Sequence, residues 1–333
     1  MKIDKFVICI VCVVIMAYLF PQYGSSSSSI PLDAIGSIGI SLIFFFYGVK
    51  LSPDKIKSGL KNWKLHILVQ LTTFLIFPIF IFIFYPFISS NGFMDIWIAF
   101  LFLAALPSTV SSSVVMVSIA KGNIPAAIFN ASISGLIGIL VTPLWMGMFL
   151  NQMSTDYSLT EVYLKLLIEV VLPVVLGGIL QKYLGTKVSK YNKALTLFDK
   201  SVILLIIYKS FSESFEKNVF SGIDKADFFY IILGVSMLFY GVYFFTGFIS
   251  DKLKFNREDK ITAQFCGTKK SLVHGTIFSK ILFQNAMSVG FVLLPLMMFH
   301  ALQILVISII ATKLTNRKSL EPKINRTKIK LVS

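Results

Sequence analysis

Ten stretches of about 20 mostly apolar residues divide this chain, and they tie its fold to a membrane. The runs lie at 4–20, 32–50, 64–88, 95–120, 124–150, 159–181, 194–212, 227–250, 258–285 and 288–313. A helix that crosses a bilayer needs roughly 20 such residues, whereas soluble helices and strands interleave apolar with polar positions. The first run is short and follows Lys2 and Lys5, as a signal peptide would. Phe20-Pro21-Gln22-Tyr23 makes a poor cleavage site, so the run is read as a helix.

The chain is 56% apolar and yet carries a formal charge of +15. Those two properties coexist only where charge and grease are segregated along the sequence, as they are here. Segregation excludes a basic nucleic-acid-binding domain, whose charges share one polar face, and it excludes disorder. Three cysteines, Cys9, Cys12 and Cys266, all sit inside apolar runs and imply no disulfide framework. With the N-terminus in the cytoplasm, 24 of the 31 Lys and Arg fall on that side. Only Lys209, Lys217 and Lys225 fall outside, and Lys165, Lys269, Lys270 and Lys280 lie within spans. The positive-inside rule therefore puts both termini in the cytoplasm, in a bacterial inner or plasma membrane.

The ten spans divide into two fives, and the halves correspond at an offset of 159 residues. Span four holds Leu106-Pro107-Ser108-Thr109-Val110-Ser111-Ser112-Ser113, and span nine holds Cys266-Gly267-Thr268-Lys269-Lys270-Ser271. Thr109/Ser112 and Thr268/Ser271 repeat one Thr-x-x-Ser spacing at a polar break in apolar sequence. Five is odd, so the second half is expected to be inverted relative to the first. Inverted repeats with a matched pair of interrupted helices point to a secondary transporter whose site lies at the breaks. The plainer alternative is two continuous helices with polar patches.

Lys269 and Lys270 stand 11 residues into span nine, roughly 16 Å along a helix and near the middle of the hydrocarbon. Charges at that depth face a cavity or a partner. If span nine began at Ser271 instead, both lysines would snorkel to the interface, but residues 271–285 are too few to cross. Ser111, Ser112 and Ser113 follow a proline that interrupts helical bonding, and serines there can cap the half-helix that follows. Half-helices starting near Ser112 and Ser271 would aim two positive dipole ends at the midplane beside both lysines. Such a site suits an anion bearing carboxylate, sulfate or phosphate.

Asn130 in span five can join that crossing or bond structurally between helices. Glu169, at the centre of span six, is a candidate proton carrier or counter-charge, or a neutral acid bonded between helices. His274 lies one turn past Ser271 and can line the same cavity. His300 and Gln303 share one face of span ten and read as packing contacts, and His66, beside Trp63 and Lys64, reads as an interfacial residue. Enzyme signatures are missing: no His-Glu-x-x-His, no Gly-x-Ser-x-Gly and no ligand-spaced metal cluster occurs. No resident cofactor or metal is expected, and the partners are a small organic anion and the bilayer, with no nucleic acid.

The sequence resembles the bile acid:sodium symporter family, in its divergent branch. The resemblance rests on Gly48-Val-Lys-Leu-Ser52, Lys64-Leu-His-Ile-Leu-Val-Gln70, Val110-Ser-Ser-Ser113, Gly122-Asn123, Ala126-Ala-Ile-Phe-Asn130 and Val141-Thr-Pro143. It continues through Phe265-Cys266, Lys270-Ser-Leu272 and His300-Ala-Leu-Gln-Ile-Leu305, spanning about residues 4–313. It implies an all-α membrane protein of ten helices in two inverted five-helix repeats, with helices four and nine broken and crossing. A panel would comprise 1–62 (helices one and two) and 151–226 (six and seven). A core would comprise 63–150 (three to five) and 227–313 (eight to ten), followed by a basic cytoplasmic tail at 314–333.

The resemblance implies alternating access and sodium-coupled symport of an organic anion, but the sodium ligands are largely replaced. The family's positions correspond here to Ser113, Val114, Ala127, Ala131 and Phe265, of which Ser113 alone keeps a ligand. A glutamine of the second sodium site becomes Lys269, followed by Lys270. A fixed ammonium can fill the space of a cation, which makes sodium or a proton the coupling ion in question. A second reading, also implied by the resemblance, is a membrane regulator with a transporter's fold and no flux of its own, for example in calcium homeostasis.

Overall fold

The computed structural model describes residues 5–25, 28, 30–51, 62–85, 94–109, 111–153, 159–218, 220, 225–283 and 287–330. Among these residues the secondary structure is helical, with no strand. The helices are α1 (Lys5–Leu19), α2 (Leu32–Lys50) and α3, which joins Trp63–Leu71, a π-helical Thr72–Ile76 and Phe77–Phe82. After them come α4 (Met94–Ala105), α5 (Ser111–Ile119) and α6 (Ile124–Met153). Helix α7 joins Leu159–Leu166, a π-helical Leu167–Val171 and Leu172–Lys190, and α8 is Asn192–Glu216. The chain continues as α9 (Lys225–Lys252), α10 (Arg257–Gly267), α11 (Leu272–Leu282) and α12 (Val289–Lys330).

Spans four and nine are each interrupted. Helix stops at Ala105 and restarts at Ser111, and stops at Gly267 and restarts at Leu272. Among the described residues, six helices are long and apolar enough to cross a membrane whole: Leu32–Lys50, Trp63–Phe82, Ile124–Leu150, Thr160–Lys190, Asp227–Lys252 and Val289–Thr315. Both interrupted spans fall short because each half is only about two or three turns. Helix α8 falls short because Lys193, Asp199, Lys200, Lys209 and Glu213 dilute it.

Helix α7 runs past its apolar stretch to Lys190 and α8 starts at Asn192, so Tyr191 alone connects them. Lysine-rich sequence is a good helix former in water, so both helices continue past the apolar stretch. His66, expected among outward-facing interfacial residues, faces inward instead. It is buried, its ring 4.2 Å from that of Phe129, while neighbouring Trp63 stays exposed.

Both π-helical stretches end two residues before a proline, Pro78 or Pro173. Proline lacks the N–H that an i→i−4 bond needs, and a wider turn absorbs the gap. Helices α2 and α7 cross so closely that backbone meets backbone. A Cβ at Gly48 would lie 2.1 Å from the Val174 carbonyl oxygen, and one at Gly177 would lie 2.1 Å from that of Phe45. In a bilayer, where burial away from lipid gives little drive, small residues that admit such an approach hold helices together. Helix α1 packs on α8, and α8 also packs on α2, while α3, α6, α9 and α12 surround the interrupted helices.

Candidate functional site

Each broken helix leaves carbonyl and N–H groups without intrahelical partners, deep among apolar side chains. Nothing in hydrocarbon can satisfy them, so protein must. The two breaks do this for one another. Ser271 N donates to Pro107 O at 2.9 Å, and Ser108 Oγ donates to Cys266 O at 2.6 Å. Helix α6 adds Ser134 Oγ, which accepts from Ser108 N at 2.9 Å, and Thr142 Oγ1, which donates to Ala105 O at 2.8 Å. Gly138 of α6 leaves room for the Pro107 ring, which a Cβ there would meet at 2.8 Å.

Lys270 occupies the centre of this crossing. It is fully buried, and its ammonium donates to three main-chain oxygens: Ala104 O at 2.6 Å, Thr73 O at 2.7 Å and Leu106 O at 2.8 Å. All three N–H donors are thereby used. The Phe77 ring faces the same ammonium, with its centroid 4.1 Å away. Thr73 O is open to Lys270 because Phe77 N bonds Thr72 O across the π turn and Pro78 has no N–H. The Lys270 backbone is held from the other side by Gln303, whose Oε1 accepts from Lys270 N and whose Nε2 donates to Lys270 O, each at 2.8 Å.

Lys269 is fully buried too but differently engaged. Its ammonium donates to Ser112 O at 2.9 Å and lies 3.3 Å from Ser112 Oγ; among the described residues it touches no other oxygen. Thr109 Oγ1 bonds Ser112 Oγ at 2.8 Å and Ser113 Oγ at 2.9 Å. Ser111 opens α5, while its side chain lies outside the described set. Ser271 caps α11: its Oγ accepts from His274 N and lies 2.9 Å from His274 Nδ1. His274 Nε2 is buried with no hydrogen-bond partner among the described residues. Its ring faces Phe44 and Tyr47 of α2 at 5.7 and 6.1 Å. Thr268 Oγ1 turns back to Gln264 O at 2.5 Å.

Ser112, Ser113, Lys269, Lys270, Ser271 and His274 are thus brought to one crossing, with the α5 and α11 N-termini beside them. Asn130 is not drawn into it. Its Nδ2 donates to Ala126 O, and its Oδ1 and backbone oxygen accept from Gln70 of α3. Glu169 is also elsewhere, in the π turn of α7, with Oε2 lacking a hydrogen-bond partner among the described residues. It lies within electrostatic reach of Lys280 on α11, as does Lys165. The contributions of Ser108, Ser134 and Thr142, and the clamp formed by Gln303, were not assigned from sequence. Each is a polar residue in an otherwise apolar span, which was the available signal.

A family model for SBF-like CPA transporters matches residues 4–316, nearly the whole chain. The chain belongs to the bile acid:sodium symporter family. It is 34% identical to an Escherichia coli K12 protein named as symporter YfeH, over 93% of this chain and 92% of the relative. It is 31% identical to protein PA2026 of Pseudomonas aeruginosa, over 95% and 94% of the two chains. It is 30% identical to sodium/bile acid cotransporter 7-B of Xenopus laevis, over 96% and 95%. This family member is an integral membrane protein of a transporter family, and the Escherichia coli and Xenopus relatives carry symporter and cotransporter names.

Proposed function

We propose that the protein is a secondary transporter that carries an organic anion by alternating access, with a lysine ammonium where a sodium-coupled relative would hold an ion. The observation that carries this is the Lys270 cage. Three main-chain oxygens from two helices converge within 2.8 Å on one positive nitrogen, an arrangement suited to a small cation and here satisfied covalently by the chain. The bile acid cotransporter and symporter names of the relatives agree with a carboxylate- or sulfonate-bearing substrate and with ion coupling of some kind.

Lys269, with its fewer acceptors, is the cation left to meet the substrate. The α5 and α11 N-termini and the Ser112 and Ser113 hydroxyls add donors around it. His274, whose Nε2 has no hydrogen-bond partner among the described residues and lies beside Gly135 of α6, is a further donor or acceptor for the same ligand. Ten spans in two inverted halves, with 1–62 and 151–226 as panel and 63–150 and 227–313 as core, supply the moving parts. The contacts of α2 with α7 and of α1 with α8 support that grouping.

The test is a thermal-stability screen of purified protein against organic anions, with and without sodium, at two pH values. A ligand of the folded state raises apparent stability by mass action. Stabilisation by an anion that needs no sodium supports the reading. Stabilisation by no anion overturns it and favours a regulator without flux.

A further inference from the structure

A polar cavity lies away from the crossing, between α2, α8 and α11, with a volume of about 260 Å³. Three lysines line it, Lys209, Lys217 and Lys280, together with the carboxylates of Asp33 and Glu213. Charge asymmetry assigns the ends of α2 and α8 that form it to the exterior. It stands at the junction of the proposed panel (α2, α8) and core (α11).

Lys280 is the cation least expected there, since it belongs to an apolar half-helix and is only 9% exposed. Its ammonium reaches across to α2, donating to Asp33 O and to Ser37 Oγ, each at 3.0 Å. Position 36 is glycine, and a Cβ there would come within 3.2 Å of that nitrogen. The Asp33 carboxylate spans both sheltered cations, with Oδ2 3.1 Å from Lys209 Nζ and Oδ1 3.7 Å from Lys280 Nζ. Yet the Asp33 side chain is 61% exposed, against 16% for Lys209 and 11% for Lys280. The lysines are anchored independently of that carboxylate: Lys209 also pairs with Glu213 at 2.7 Å, and Lys280 keeps its two neutral oxygens.

An exposed carboxylate resting on two sheltered ammonium groups is a weakly held occupant. Solvent screens it, and among the described residues rotating it into water breaks no ion pair of its side chain beyond these two. We propose that this cavity is the recruitment site for the organic anion on the exterior face, with Asp33 as an internal stand-in that the incoming acid group displaces. The inference rests on the transport reading for the substrate's sign. The cavity takes one small acid group between Lys209 and Lys280. The remainder of the ligand extends outward along the path that Asp33 vacates.

The experiment uses full-length Val289→Cys protein with the exposed Cys9 and Cys12 changed to serine, so that one thiol reports on the cavity rim. Benzoate should protect that thiol from an impermeant maleimide added to intact cells, and neutral benzamide of the same shape should not. Asp33→Asn should lower the benzoate concentration for half-protection about fivefold, the factor expected when one partly exposed pair no longer competes. Lys280→Met or Lys209→Met should abolish protection. Gel-filtration profiles in detergent report on folding, and Lys209→Met remains informative if Lys280→Met does not fold. Equal protection by benzamide, labelling from the cytoplasmic side alone, or no tightening in Asp33→Asn would overturn the proposal. Protection without any transport of anions would leave this site standing and remove the transport reading instead.

Discussion

Replacing Lys270 by alanine tests the cage directly. The side chain leaves Ala104 O, Leu106 O and Thr73 O without their donor. A buried acceptor left unsatisfied costs about 1–3 kcal/mol, so three set an upper range of about 3–9 kcal/mol. Against this, the chain no longer buries an ammonium, itself a cost of several kcal/mol. The net expectation is the lower end, about 3 kcal/mol, or about 6 °C in apparent Tm for a chain of this size. The vacated space keeps its three oxygens and the Phe77 ring, so sodium can enter it. At a concentration 100 times its Kd, a bound ion returns about 2.7 kcal/mol. Lys270→Ala should therefore be destabilised in choline chloride and recover most of its Tm in sodium chloride. The unsubstituted protein should respond equally to both salts. Differential scanning fluorimetry in detergent reads this out. The reasoning is refuted if Lys270→Ala is as stable as the parent in choline, or if sodium stabilises the parent as much as the variant.

Other outcomes follow from the same geometry. Gly48→Val places a branched side chain where the Val174 carbonyl oxygen lies 2.1 Å from an ideal Cβ; overpacking of that kind costs about 1–3 kcal/mol or more, and detergent-extracted yield should fall sharply. Gln303→Leu frees both the N–H and the C=O of Lys270 and should lower Tm by more than Gln303→Glu, which keeps the acceptor for Lys270 N. Lys269→Gln should leave Tm within a few degrees while abolishing stabilisation by any anion that stabilises the parent, because its ammonium bonds Ser112 alone among the described residues. A parent-like anion response in Lys269→Gln would move the binding site elsewhere.

Much of the architecture was legible because hydrophobic length is a strong signal in membrane proteins. The apolar runs, the breaks at Pro107 and at Gly267–Ser271, and the unusual depth of Lys269 and Lys270 could all be read from the sequence. What could not be read was how the two lysines divide their work. They are adjacent in sequence, and only the backbone turn at Ser271 sends one ammonium to Ser112 and the other to three carbonyl oxygens 164 to 197 residues away. The free carbonyl of Thr73 depends on a π turn and on Pro78, a local geometry that apolar periodicity does not encode. Asn130 and Glu169 were equally polar in equally apolar spans, and the helices they occupy turn them toward Gln70 and toward the Lys280 side. The apolar run that ends at 181 does not mark the end of α7, because the lysine- and leucine-containing sequence after it remains a good helix former.

The central claim is that a lysine replaces a sodium ion in an organic-anion carrier. Uptake into proteoliposomes of an anion that stabilises the purified protein, with the sodium gradient imposed or abolished, tests it most directly. The account predicts uptake that persists without sodium in the parent and is lost in Lys269→Gln. Uptake that depends steeply on sodium, and that neither Lys269→Gln nor Lys270→Gln alters, would contradict it.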